Sequence, residues 1–218
     1  MTADAGSTGP AGSRAGRRTR ANGEQSRERI LDAATEVATE RGYDGTTISL
    51  VSKKSGLPPT SIYWHFADKD DLIAAVIERS FGRWLAALDL PGGALVQERV
   101  ADLGTQVAKA LLDAPDFIRL GLMLALERRP VEPRAREMFL QVRDAAFHRF
   151  EAIVRDVAPE LDEEGVRLLT TYAIAGADGL FIAKEVGGDS VDLIKLFDLH
   201  ARLVFQSATQ LLQSGELT

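Results

Sequence analysis

Between Thr46 and Leu72 the run TTISLVSKKSGLPPTSIYWHFADKDDL gathers hydroxyl, phenol, indole, imidazole and ammonium groups in a pattern that suits binding rather than bond breaking. Thr47, Tyr63 and Lys69 can donate to phosphate oxygens and so fix a register on DNA. Pro59, Thr60, Ser61, Trp64 and His65 are placed to face a groove, where base edges and thymine methyls are available. Turnover chemistry is not in view. The chain has three histidines, His65, His148 and His200, and no cysteine. It shows no metal-ligand spacing, no Gly-x-Ser-x-Gly elbow and no phosphate-binding glycine loop ending in Lys-Ser/Thr. Neither an enzyme nor a metal or cofactor site is expected.

Short helices must carry these groups. Leu50, Val51 and Ser55 share one face of a first short helix that Thr47 caps, and Gly56 supplies the backbone freedom of a tight turn. Pro58 and Pro59 open a second helix, where a missing N–H costs nothing. Ile62 and Phe66, four apart, anchor that helix and leave Thr60, Ser61, Tyr63, Trp64 and His65 on or beside its outer face. The alternative reading of Tyr63 and Trp64 is packing inside the head. Asp68 caps a third helix, whose Asp70 and Asp71 suit its positive end. Upstream, Ser26 is the expected cap of a helix striped with Ile30, Leu31, Ala34, Val37 and Ala38, and Gly42 ends it.

Over Arg27 to Ile77 the chain resembles the TetR family of transcriptional regulators. Gly42-Tyr43, Thr46-Thr47, Gly56-Leu57, the run Ile62 to Phe66, Lys69 and Asp71-Leu72 carry the resemblance. Pro58 and Thr60 depart from the Ser and Gly often found there. The resemblance implies a helix-turn-helix head, a homodimer through the last two long helices, and a small-molecule pocket in the body.

The formal net charge of −6 argues against a protein that coats nucleic acid indiscriminately. By segment, residues 1–25 carry a balance of +2 and residues 26–72 one of −2, so any DNA contact works by placement. Residues 1–25 are poor in large apolar groups and are expected to be a disordered arm, whose Arg14, Arg17, Arg18 and Arg20 either touch DNA or merely solvate the tail. With no cysteine and no apolar leader near Met1, a cytoplasmic home is expected. No membrane span is expected, because Thr170, Thr171 and Asp178 interrupt the most apolar run.

The class is all-α: a three-helix head over residues 26–72 and a larger helical ligand-binding and dimerisation domain over residues 73–218. The helix from Asp68 is expected to reach Leu88 before Leu90-Pro91-Gly92-Gly93 and to act as a lever. Further helices are expected at 94–112, 115–127, 132–157, 162–186 and 190–212. Small residues (Ala173, Ala175, Gly176, Ala177, Gly179) and the apolar Leu193, Leu196, Phe197, Leu203, Val204 and Leu211 fit a four-helix dimer interface, or else plain core. Trp84, Phe117, Met123, Phe139, Tyr172, Asp178 and Phe181 are the expected pocket lining, which favours a largely apolar effector.

The expected function is a homodimeric repressor that binds a palindromic operator in double-stranded DNA and is released by a small molecule. An architectural or activator-type DNA-binding protein without an effector is the alternative. A helical enzyme or carrier would need a catalytic constellation that the chain does not display.

Overall fold

The computed structural model describes residues 12–88, 96–127, 130–131 and 133–214. Its class is all-α, with no strand among the described residues. The chain divides between Ile73 and Ala74 into two compact units.

In the first unit α1 (Gly12–Gly45), α2 (Ile48–Ser55) and α3 (Pro59–His65) pack on one another, followed by the first turn of α4 (Lys69–Ala86). Ile30, Leu31, Ala34, Val37 and Ala38 are buried, as their spacing requires. α1 begins earlier than expected. Ser26 is no cap but an interior residue whose hydroxyl donates to the Asn22 carbonyl at 2.9 Å. Residues 12–25 are helical rather than disordered, since Ala and Arg favour helix and extending a formed helix avoids the nucleation cost. Residues 1–11 lie outside the described residues. Gly42, at φ 68° and ψ −175°, breaks α1 where the sequence predicts its end.

Local capping then shapes the turn. The Thr47 hydroxyl accepts the Leu50 N–H at 3.3 Å, and Gly56 closes α2 at φ 68°, ψ 17°, its N–H on the Ser52 carbonyl at 3.0 Å. Pro58 precedes α3 and Pro59 starts it. Arg29 reaches from α1 to the Ser55 carbonyl at 2.8 Å, which fixes the end of α2. Asp68 accepts the Asp71 N–H at 2.8 Å, and Asp71 accepts the Ala67 N–H at 3.0 Å, a reciprocal cap at the start of α4.

The second unit holds the remainder of α4 with α5 (Val96–Asp113), α6 (Asp116–Leu126), α7 (Arg134–Val157), α8 (Glu163–Gly187) and α9 (Leu193–Ser214). A 3₁₀ turn, Gly188–Ser190, joins the last two. α4 ends at Ala86, and the expected stop at residues 90–93 lies outside the described residues. Ser80 pins α4 to the start of α6: its hydroxyl donates to the Ala114 carbonyl at 3.3 Å and accepts the Phe117 N–H at 3.1 Å. α5 packs on α9, α9 on α8, α8 on α7 and α7 on α6. Two glycines set close crossings. A Cβ on Gly104 would lie 2.8 Å from the Phe197 carbonyl oxygen, and one on Gly121 would lie 1.9 Å from the Phe139 ring.

The expectation about membrane-spanning length also needs correcting. Within Glu163–Ser190 an 18-residue window reaches a mean hydropathy of 1.3, so this helix is long and apolar enough to cross a membrane by length and composition alone. Thr170, Thr171 and Asp178 are too few to lower the average, and the helix spends its apolarity on two faces, one toward α7 and α9 and one left bare.

Candidate functional site

The first unit presents α3 to solvent. Ile62 and Phe66 are buried, which stabilises by about 1.5–3 kcal/mol each and fixes the helix rotation. On the other side Tyr63 is 56% and Trp64 77% exposed, so neither belongs to the head's core. Pro59 and Thr60 are exposed, and Ser61 and His65 half-exposed. Trp64 meets His65 edge-on at 4.6 Å between centroids. A Cβ on Gly23 would lie 3.7 Å from the indole, so the early part of α1 runs beside Trp64, a neighbour the sequence reading missed.

Around α3 the charged groups are held by partners. The Lys69 ammonium donates to the Tyr43 carbonyl at 3.2 Å and lies 4.2 Å from that ring's centroid, while the Tyr43 hydroxyl donates to Asp70 at 3.0 Å. Lys54 pairs with Glu36 across α1 and α2. Partial burial, and then the Arg27 charge, hold the His65 imidazole below its ordinary value. His65 is therefore neutral near pH 7 and meets a partner as a hydrogen-bonding ring, not a cation. Thr47, exposed at the start of α2, keeps its hydroxyl proton free to donate while its oxygen serves the cap.

The second unit holds a partly open cavity of about 130 Å³ lined from α4 to α9. Of the seven expected lining residues, Trp84, Phe117 and Asp178 face it. Phe139 and Phe181 are buried away from it, and Met123 and Tyr172 are about half exposed. Trp84 sits among aromatic rings, 5.6 Å from Phe81, 5.5 Å from Phe117 and 6.2 Å from Phe150 between centroids. Its indole N–H is buried with no acceptor among the described residues.

Among the lining groups that the sequence reading missed are Arg143, Phe150 and His200. For Arg143 and Phe150 a signal was present, since positions 143, 146, 150, 153, 154 and 157 mark one face of α7. Arg143 donates to both carboxylate oxygens of Asp178, at 2.9 and 2.6 Å. Burial pushes the Asp178 carboxyl up from its ordinary value, against the opposing pull of Arg143. The His200 Nε2–H donates to the Ala173 carbonyl at 2.8 Å, which assigns the tautomer of its neutral form. Among the described residues no three His, Cys, Asp or Glu side chains cluster as metal ligands.

α8 and α9 also carry an uncovered face. Leu168, Tyr172, Ala175, Gly179, Ile182 and Val186 are all exposed and repeat at alternating steps of four and three, the period of a helix-pairing seam. Leu199 and Leu203 are exposed on the neighbouring α9. A Cβ on Gly179 would meet nothing within 4 Å. Not every expected interface residue lies here. Gly176 packs against His200, Leu193 and Phe197 are buried, and Val204 lines the cavity.

A three-helix unit with a capped turn and an exposed third helix, ahead of a separate helical unit, defines a helix-turn-helix protein. Residues 30–76 match the family model described as bacterial regulatory proteins, tetR family. The chain is 38% identical over 61 residues to the HTH-type transcriptional regulator SrpR of Pseudomonas putida, a match covering 28% of this chain and 29% of that one. The chain spans less than half the length of the curated relatives it matches. Over a longer reach it shares the fold of SCO3833, a TetR-family member from Streptomyces coelicolor. That match has a TM-score of 0.55 and 26% identity and covers 81% of this chain and 89% of that one. The transcriptional regulator FadR of Bacillus subtilis, in complex with stearoyl-CoA, superposes with a TM-score of 0.69 at 20% identity, over 82% of this chain and 97% of that one.

Proposed function

We propose that this chain is a one-component transcriptional regulator, a homodimeric repressor that reads a palindromic operator and is released by a small, largely apolar effector. The observation that carries the reading is α3: Ile62 and Phe66 anchor it while Thr60, Ser61, Tyr63 and Trp64 stand clear of the head. In this reading Thr47, Tyr63 and Lys69 grip phosphates, and Pro59, Thr60, Ser61, Trp64 and His65 enter the major groove. The bare 3.5-period face of α8, with exposed leucines on the neighbouring α9, supports dimerisation, which sets two recognition helices about 34–36 Å apart. Such a protein works in the cytoplasm on chromosomal DNA and needs no membrane.

The cavity in the second unit supports an effector site, and the names of the relatives, transcriptional regulators, support its use in regulation. α4 carries Lys69 in its first turn and Trp84 near its last. An effector beside Trp84 acts by favouring an α4 placement that the operator complex does not accept. It must bind that state better by about 1.4 kcal/mol for each tenfold loss of operator affinity.

The test is a binding titration with Tyr63→Ala, Thr60→Ala and Ser61→Ala. Tyr63→Ala lowers affinity for specific and random DNA alike, whereas Thr60→Ala and Ser61→Ala change the preferred sequence. Operator binding by Tyr63→Ala at full affinity contradicts the assignment.

A further inference from the structure

We infer that the effector is a small uncharged molecule, of about the size of one aromatic ring, bearing a hydrogen-bond acceptor for the indole N–H of Trp84. The inference rests on reading the cavity as the effector site. Three observations carry it. The cavity measures about 130 Å³. An engineered apolar cavity of about 150 Å³ takes benzene, so the space here suits one aromatic ring with a short substituent, and a long acyl chain would have to run out of it.

Charge comes next. Among the groups lining the cavity, Arg143 and Asp178 bear the formal charges and bind each other through two hydrogen bonds. An anionic ligand would have to displace a carboxylate already held by both prongs of the guanidinium, in surroundings of Val107, Phe117, Phe150, Leu169 and Phe197. A neutral ligand faces no such competition.

The third observation is the Trp84 N–H. Buried donors are almost always paired, and an unpaired one costs free energy comparable to its desolvation. Trp84 is 4% exposed, and its Nε1 has no acceptor among the described residues. Water is a poor remedy, because an ordered water needs two to four polar partners and the rings of Phe81, Phe117 and Phe150 supply none. A ligand carbonyl or ether oxygen satisfies the indole while its apolar body fills the rest.

The experiment uses the full chain and four probes: acetophenone, ethylbenzene, benzoate and stearoyl-CoA, titrated by calorimetry. Acetophenone binds about fivefold tighter than ethylbenzene, the factor one neutral hydrogen bond contributes. Trp84→Phe keeps ethylbenzene binding and loses the preference. Benzoate and stearoyl-CoA bind more weakly than either. In wild-type protein labelled with ¹⁵N, the Trp84 indole N–H resonance moves downfield with acetophenone and stays with ethylbenzene, a readout that holds even if the variant folds poorly. The inference is overturned if the preference survives in Trp84→Phe, if the resonance ignores acetophenone, if benzoate or stearoyl-CoA binds tightest, or if no probe binds. A failure of the regulator reading looks different: it is a loss of sequence-selective DNA binding, measured separately on the same preparation.

Discussion

Arg143 of α7 and Asp178 of α8 face each other through two parallel hydrogen bonds, Nη1 to Oδ1 at 2.9 Å and Nη2 to Oδ2 at 2.6 Å, on the wall of the cavity. Each alone would be a poorly solvated charge. Together they tie two helices and leave the cavity electrically neutral.

Removing one partner should therefore cost more than removing both. Arg143→Met is expected to destabilise the protein by about 2–3 kcal/mol, below the full buried-pair cost because both side chains keep some solvent contact. Arg143→Met with Asp178→Leu recovers much of that loss. Chemical denaturation of the two single variants and the double variant measures the coupling, and strictly additive losses would show the pair to be unimportant.

The same carboxyl gives a pH signature. Burial raises the Asp178 value in the folded chain, so the folded state holds that proton more tightly than the unfolded chain does. Its stabilising contribution is complete below the ordinary carboxylate value and is lost as pH rises through the raised one. The stability of wild type relative to Asp178→Asn should accordingly grow on acidification across that window. A pH-independent difference contradicts the direction.

His65 behaves in the opposite sense. Its folded value is lowered, so its contribution is present above the ordinary histidine value and is lost as pH falls through the lowered one. Between pH 7 and the ordinary value His65 stays neutral, and DNA affinities of wild type and His65→Gln should run in parallel there. Divergence within that range would mean that His65 binds as a cation.

Two glycines separate core from interface. Gly104→Ala pushes a methyl group to 2.8 Å from a backbone oxygen of α9 and should destabilise the fold by about 1–3 kcal/mol. Gly179→Leu meets open space within the chain, so the fold survives while the bare face is disturbed. Sedimentation velocity should show Gly179→Leu shifted toward monomer, and an unchanged dimer would remove α8 from the interface.

Punctuation was the most legible part of the sequence. Thr47, Gly56, Pro58-Pro59 and Asp68 act locally, through caps and backbone limits, and the structure uses each where its chemistry predicts. Asp162 likewise accepts the Gly165 N–H at 2.7 Å to open α8. Ser26 misled because a hydroxyl that can cap a helix can also bond back to a carbonyl four residues earlier.

The cavity was less legible because it depends on how helices cross. Phe139 and Trp84 look alike in sequence, yet Phe139 fills the space left by Gly121 while Trp84 borders the cavity. Tyr172 faces outward on a seam whose period was readable, but whose separation from the inward Ala173, Ala177 and Asp178 required the packed helices.

The central claim is sequence-selective binding by a dimer, and the most direct measurement is a genomic fragment pull-down on the purified protein, followed by footprinting of the tightest fragment at physiological salt. The account predicts protection of a short palindrome whose half-sites lie about one helical turn apart. Uniform, sequence-blind protection, or no protection, would contradict it.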